Sequence, residues 1–108
     1  MDFNRLIRTN IPDLAQVYGG ARGRTMSSRH QSYAWPALVE SGITQVIDLR
    51  RADSSEKLPR LCDKYKIEYF HYPVDNDKET IVKTVELMPE LCKRIDKGNF
   101  YIACAMGL

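Results

Sequence analysis

The stretch Asn99-Phe100-Tyr101-Ile102-Ala103-Cys104-Ala105-Met106-Gly107-Leu108 decides the fold. Residues 99–103 form a short apolar, β-favouring run after the turn signal Lys97-Gly98, which predicts a buried strand. Cys104 follows that strand directly, and ligands of open parallel sheets bind outside the carboxyl ends of the strands. Successive backbone N–H groups in such loops bind anions, and the same field favours a thiolate. The stretch therefore predicts a nucleophilic thiol beside an anion-binding loop, residues 105–108.

Strand and helix patterns alternate along the rest of the chain. Each segment has either the apolar spacing of a helix or the β-favouring residues of a strand, and turn residues separate one segment from the next. The alternation predicts one α/β domain over residues 1–108, a parallel central sheet flanked by helices. Residues 1–14 lack a clear period and are interpreted as a lead-in. The predicted strands are 15–18, 43–50, 67–72 and 99–103, and the predicted helices are 32–41, 54–66 and 78–96.

The first two helices carry recognisable boundary and core residues. Ser32 is a candidate N-cap, Pro36 suits the first turn, and Gly42 is a natural stop. Trp35 is predicted to anchor the core. In the second helix, Ser54 or Ser55 is the candidate cap, and an apolar row is predicted to face the core: Leu58, Leu61, Cys62 and Tyr65.

The helix over 78–96 has an apolar row at spacings of three and four, which predicts its buried face. Pro89 lies in its interior, so a kink or a break is expected there. Cys92 lies on the predicted buried row and is expected to be inert. The row consists of Ile81, Val85, Met88, Cys92 and Ile95.

The segment Gly19-Gly20-Ala21-Arg22-Gly23-Arg24 is rich in glycine and arginine. Its spacing does not match the dinucleotide-binding fingerprint, and no clear helix follows it. The favoured interpretation is a flexible turn. The alternative is that Arg22 or Arg24 lies near the anion site.

Composition limits the possible partners and compartments. The 16 basic and 14 acidic residues give a net charge of +2, which does not indicate a nucleic-acid or membrane-surface partner. No apolar run is long enough to span a bilayer, and the first residues lack the apolar core of a signal peptide. The cysteines Cys62, Cys92 and Cys104 are odd in number and without metal-type spacing, which favours a reducing, cytoplasmic location.

The strand followed by Cys104-Ala105-Met106-Gly107-Leu108 resembles the opening of the Cys-x5-Arg phosphate-binding loop of the cysteine-dependent protein tyrosine and dual-specificity phosphatases. The family's arginine would stand at position 110, beyond Leu108. Ala103 stands where the family usually has histidine. The segment 42–50, Gly-Ile-Thr-Gln-Val-Ile-Asp-Leu-Arg, is similar to the helix-to-strand step of dual-specificity phosphatases.

The resemblance also indicates a general acid. The family has an aspartate on a loop about thirty residues before its cysteine, where a proton donor helps the leaving oxygen to depart. Asp75 precedes Cys104 by 29 positions and Asp77 precedes it by 27. Asp75 is the preferred acid and Asp77 the reserve. The alternative is that both are turn or helix-cap residues, and Asp77 has more of the character of an N-cap.

The resemblance implies a phosphoric monoester hydrolase with a phosphocysteine intermediate at Cys104, and the backbone of Ala105, Met106, Gly107 and Leu108 as the phosphate-binding loop. It implies no metal and no organic cofactor, and a phosphorylated protein or small phosphoester as substrate. A parallel sheet needs both faces covered, so the chain is expected to be the N-terminal part of a longer protein, with apolar surface exposed. Without the arginine, the 108-residue chain is expected to have little turnover.

Two other functions remain open. A rhodanese-like sulfurtransferase also places a cysteine on a strand-to-helix loop, but it would leave the Asp75 loop without a role. A non-catalytic α/β module would use Cys104 for packing and the loop for binding a phosphorylated partner, or for nothing. Three further polar residues are interpreted as structural. They are Asp48 and Arg50, which would pair, orient a loop or cap the strand end, and His71.

Overall fold

The computed structural model of the chain describes residues 1–8, 11, 13–25, 33–51, 53–75 and 77–104. The strands within these ranges form one five-stranded sheet in the order β1-β2-β5-β3-β4. β1 runs antiparallel to β2, and the other neighbours are parallel, so the predicted α/β fold is confirmed with an antiparallel edge strand added. The elements are α1 (Phe3–Ile7), β1 (Ala15–Val17), β2 (Gly20–Arg24), α2 (Ala34–Glu40), β3 (Gln45–Asp48), α3 (Lys57–Lys64), β4 (Glu68–His71), α4 (Lys78–Lys97) and β5 (Phe100–Cys104).

β5 is the central strand, hydrogen-bonded to β2 on one side and to β3 on the other. Asp48 of β3 is in register with Ala103 of β5 and with His71 of β4. Because these strands are parallel, their carboxyl ends meet at one edge of the sheet. Cys104, one residue beyond Ala103, therefore lies at that edge.

The glycine-rich segment is a strand, so its interpretation as a flexible turn was wrong. β2 fits between β1 and β5 because two of its glycines leave room for aromatic side chains of β5. A Cβ atom on Gly20 would lie 2.5 Å from the carbonyl oxygen of Phe100, and one on Gly23 would lie 2.5 Å from the hydroxyl of Tyr101. These glycines allow a close approach of two strands rather than a bend. The turn itself is at Gly19, where φ is +86°.

Helices α1, α2 and α3 pack on one side of the sheet, here called the α1–α3 face. Trp35 is fully buried there and stacks on Tyr65 with 5.8 Å between ring centroids, as its predicted core role requires. Cys62 is also fully buried, as predicted. The core on this face consists of Leu6, Ile11, Ala21, Ala34, Trp35, Leu38, Ile43, Val46, Leu58, Cys62, Ile67, Tyr101 and Ala103.

Helix α4 packs on the opposite side, the α4 face, where the buried cluster is smaller: Ile47, Tyr72 and Phe100. The structure describes every residue of α4, and none of them is fully buried. The helix faces the sheet with Leu87, Leu91 and Ile95. The predicted buried row was therefore wrong except at Ile95: Ile81 is 50%, Val85 64% and Met88 45% exposed, and Cys92 is exposed as well. A second apolar row on the same helix makes the contact instead.

The prediction at Pro89 was a kink or a break, and α4 continues through Pro89 as one helix, which contradicts the break. Its carboxyl end is fastened to β3 by Gln45, a fully buried side chain. The Gln45 amide donates hydrogen bonds to the carbonyl oxygens of Arg94, at 2.6 Å, and Gly98, at 3.0 Å. These carbonyls belong to the last turn of the helix, where no intrahelical donor is left for them. Gln45 thus fixes the point from which the chain enters β5.

Several predicted boundaries shift. The predicted lead-in contains the short helix α1, whose N-cap Asp2 accepts a hydrogen bond from the Arg5 N–H at 3.4 Å. α3 begins at Lys57 with Glu56 at the N-cap position, so the prediction of Ser54 or Ser55 as the cap was wrong, although the Ser55 hydroxyl accepts a hydrogen bond from the Lys57 N–H at 3.2 Å. Pro36 in the first turn of α2 is confirmed, whereas the candidate cap Ser32 lies outside the described residues.

Candidate active site

Cys104 is the last residue of β5, and its side chain is half-buried with a free thiol. The register places Cys104 beside Arg24 of β2. Paired residues of neighbouring parallel strands project to the same side of the sheet. The alternation along β5 puts Cys104 on the α4 face with Phe100, and Ala103 on the other. The predicted phosphate-binding loop, Ala105 to Leu108, lies outside the described residues.

Arg24 brings a positive charge to the strand beside the cysteine. Its Nε atom lies 2.7 Å from Oδ2 of Asp13, and both side chains are about half exposed. The Tyr101 hydroxyl donates a hydrogen bond to the Arg24 carbonyl oxygen at 2.5 Å, which ties the end of β2 to β5. The strand register thus agrees with the alternative interpretation of the glycine-rich segment, in which Arg24 lies near the cysteine. It does not agree with the interpretation of that segment as a flexible turn.

Asp75 follows β4 at the same edge of the sheet, with its side chain 26% exposed. β3 separates β4 from β5, and a strand spacing of about 4.8 Å places β4 and β5 about 10 Å apart. Two contacts hold the segment before Asp75. The Val74 N–H donates to the Leu49 carbonyl at 3.3 Å, and the Thr84 hydroxyl donates to the Pro73 carbonyl at 2.9 Å.

Asp77 is the N-cap of α4, as its N-cap character predicted. Its carboxylate accepts hydrogen bonds from the Thr80 N–H, at 2.8 Å, and the Thr80 hydroxyl, at 2.6 Å. These hydrogen bonds lower the pKa of Asp77 below its ordinary value. Asp77 is thus fixed in the helix cap, and Asp75, at the carboxyl-end edge of the sheet with its carboxylate beside Arg51, stays the preferred candidate acid.

A buried ion pair supports the edge of the sheet from the α1–α3 side. Asp48 is fully buried, and the Arg50 guanidinium donates to both of its carboxylate oxygens at 3.0 to 3.2 Å. The Tyr69 hydroxyl donates to Oδ2 of Asp48 at 2.6 Å. Burial alone raises the pKa of Asp48, but the hydrogen bonds from Arg50 and Tyr69 outweigh it and hold the pKa below its ordinary value. Asp48 is therefore ionised at neutral pH, and its predicted pairing with Arg50 is confirmed.

His71 is a structural residue, as predicted. Its Nε2 atom lies 2.7 Å from the Arg50 carbonyl oxygen, so Nε2 carries the proton and donates it. Sequence patterns missed the part that Tyr69 and His71 play in this network. The only local sign of the network is the Asp-x-Arg spacing of Asp48 and Arg50, because Tyr69 and His71 arrive from the next strand.

The other two cysteines differ from Cys104. Burial, helped by the nearby charge of Asp48, raises the pKa of Cys62 to about 12, so this thiol stays protonated and unreactive. Cys92 is exposed on α4. Within the described ranges, no three His, Cys, Asp or Glu side chains converge to hold a metal ion. None of the helices in the described part of the chain has the length and apolar character needed to cross a membrane.

Comparisons with known proteins support the fold. No protein-family model and no curated protein matches the chain. The structure is similar to two crystal structures of the "Putative phosphatase (DUF442)" from Shewanella putrefaciens CN-32, at 1.40 and 1.60 Å resolution. The TM-scores are 0.70 and 0.63, at 19% and 20% identity, over 95% and 91% of this chain. The chain spans 66% and 62% of the length of those two structures. At such identities the likeness shows that the chain shares their α/β fold.

Proposed function

We propose that this chain carries the nucleophile and the general acid of a phosphoric monoester hydrolase of the protein tyrosine or dual-specificity phosphatase type. The observation that carries the proposal is a free, half-buried thiol, Cys104, at the carboxyl end of the central strand of a parallel sheet. Ligands bind at this edge in open α/β sheets. The similarity to crystal structures named "Putative phosphatase (DUF442)" supports phosphatase activity at the level of the enzyme class.

In the proposed reaction the Cys104 thiolate attacks the phosphorus atom of the substrate and forms a sulfur–phosphorus bond. The bond from phosphorus to the ester oxygen breaks, and that oxygen leaves with a proton from the Asp75 carboxyl group. Water then attacks the phosphocysteine and loses its proton to the Asp75 carboxylate, and inorganic phosphate and the thiolate are released. The N–H groups of residues 105–108 would hold the phosphoryl oxygens.

The state of the two aspartates supports the assignment of the acid. Asp77 is held in the cap of α4 by two hydrogen bonds from Thr80, whereas Asp75 lies at the carboxyl-end edge with a partly exposed side chain in an ion pair with Arg51. The substrate would be a phosphorylated protein or a small phosphoester. The proposed location of the protein itself is the cytoplasm. No metal or organic cofactor takes part in the proposed steps.

The test is hydrolysis of para-nitrophenyl phosphate by the full-length gene product, because the resemblance places the arginine at position 110. We expect Cys104→Ser to abolish turnover, since a hydroxyl at neutral pH is a far weaker nucleophile than a thiolate. Asp75→Asn should lower kcat about a hundredfold, the scale of a lost general acid. Cys92→Ser is the matched control, because it removes an exposed thiol on α4 and should keep the full rate.

Full hydrolysis by Cys104→Ser would overturn the proposal. An unchanged rate in Asp75→Asn alone would move the acid to another residue, with Asp77→Asn as the next variant. Sulfur transfer from thiosulfate to cyanide without phosphate ester hydrolysis would assign the chain to the rhodanese-like class. A function that survives Cys104→Ser would indicate a non-catalytic module.

A further inference from the structure

Arg51 lies beside the proposed acid, and we infer that it is a positioning residue for Asp75. The inference rests on the proposed function and deepens it. The Nε atom of Arg51 lies 3.2 Å from Oδ2 of Asp75, closer than the 3.6 Å to Oδ1 of Asp53. Arg51 thus contacts the carboxylate whose proton would be transferred.

The backbone that carries Arg51 is fixed by its neighbour. Arg50 turns inward, where its guanidinium contacts the buried Asp48 and donates to the Ser55 carbonyl at 3.0 Å. The Arg50 carbonyl in turn accepts the hydrogen bond from His71. Arg50 lies at a bend with its side chain buried against Asp48, whereas the side chain of Arg51 next to it is 67% exposed.

The segment that carries Asp75 is held against the same anchored backbone. Val74 donates to the Leu49 carbonyl, two residues before Arg51, and α4 holds Pro73 through Thr84. The ion pair with Arg51 then acts on the Asp75 side chain itself, because it joins the carboxylate to a residue of the anchored segment.

This arrangement separates an effect on the reaction from an effect on folding. An ion pair with one partner two-thirds exposed adds little to stability. A catalytic group that is displaced by about 1 Å can lose about a hundredfold in rate. Loss of Arg51 should therefore affect the step that needs the proton and leave the folded state intact.

The test uses two aryl phosphates with the full-length gene product. Phenyl phosphate has a poor leaving group that needs the proton, whereas a dinitrophenyl phosphate leaves without one. We expect Arg51→Leu to lower kcat for phenyl phosphate at least about tenfold and to change kcat for the dinitrophenyl ester less than about twofold. Arg51→Lys should recover most of the lost rate.

The control is Arg60→Leu, which removes another exposed arginine with a carboxylate partner, Glu56 at 3.3 Å, away from the acid. It should behave like the unmodified protein on both esters. In the Asp75→Asn background, Arg51→Leu should have no further effect, because two residues that act through one proton transfer are not additive.

Equal losses on both esters would show that Arg51 binds phosphate or maintains the fold, and would overturn the inference. Equal behaviour of Arg51→Leu and Arg60→Leu would overturn it as well. Either result leaves the losses in Cys104→Ser and Asp75→Asn unaffected, so failure of this inference is distinct from failure of the proposed function. Thermal unfolding of each variant confirms that rates are compared between folded proteins.

Discussion

The two faces of the sheet are built differently. On the α1–α3 face three helices bury large side chains, with Trp35 and Leu38 fully buried among them. On the α4 face a single helix packs through one row, and a second row led by Val85 stays exposed. The strand register puts Cys104 on this second face, where fewer side chains are buried. The comparison indicates that the α1–α3 face supplies most of the stability, while the thiol lies on the face with the smaller buried cluster.

The largest expected effect is the loss of the anchor on the α1–α3 face. Trp35→Ala should lower the free energy of unfolding by about 3 to 5 kcal/mol, because it removes a fully buried ring and leaves a cavity. Urea unfolding followed by circular dichroism measures the change. A loss below about 1 kcal/mol would break the comparison, since it would mean that this face is not the main source of stability.

The next effect is electrostatic and lies on the same face. Asp48→Asn should cost about 3 kcal/mol, because it leaves the Arg50 charge nine-tenths buried without its counter-charge. The pKa of Asp48 is lowered in the folded chain, so its contribution is fully present above the ordinary value of 3.8 and is lost as the pH falls through the lower folded pKa.

Urea midpoints between neutral pH and about pH 3 test this sign. The chain without the substitution should lose stability at pH values below the ordinary pKa of an aspartate. The Asp48→Asn variant should lose less stability over the same pH interval. A variant with the same pH dependence as the unmodified chain would show that Asp48 does not carry the linkage.

The third prediction tests the tightest contact beside the α4 face. Gly20→Ala should cost about 1 to 3 kcal/mol, because the added Cβ would lie 2.5 Å from the Phe100 carbonyl and 2.7 Å from its ring. Gln16→Ala on the exposed side of β1 is the control and should be nearly neutral. Equal stability of the two variants would mean that β2 and β5 separate more easily than the strand register indicates.

The smallest effect is expected on the exposed row of α4. Val85→Ala should change the free energy of unfolding by less than about 0.5 kcal/mol, since the side chain is 64% exposed. Leu91→Ala, on the row that faces the sheet, should cost more. A loss above about 1 kcal/mol for Val85→Ala in the full-length gene product would show that further chain covers this row and would even out the difference between the faces.

The local sequence predicted where helices and strands lie better than it predicted which elements pack against one another. The β-favouring run ending at Cys104 and the helix signals around Trp35 were sufficient to predict their segments, because turn residues and spacing act within a few positions. The prediction of a turn over Gly20–Arg24 failed because its glycines are needed for the close approach of Phe100 and Tyr101. These two residues lie about eighty residues away in the sequence. Short-range patterns contain no information about such a neighbour.

The same reason explains the error on α4. Two apolar rows occur on this helix at helical spacing, one through Val85 and one through Leu91, and the helix alone does not determine which row meets the sheet. For the candidate site, the positions of Cys104 and Asp75 after strands followed from the pattern. The contacts of Arg51 with Asp75 and of Tyr69 with Asp48 join separate loops and strands, so only the folded chain reveals them.

The contacts of Gln45 bear on how the effects of substitutions in this protein are interpreted. Its amide fixes where the chain leaves α4, and β5 then runs four residue steps to the thiol, roughly 13 Å at about 3.3 Å per residue. A change of length or polarity at Gln45 would leave the Arg94 and Gly98 carbonyls without these donors and loosen the junction from which β5 runs to the sulfur. Natural or engineered changes that weaken activity therefore need not cluster around Cys104, and Gln45 is the first remote position at which to look for them.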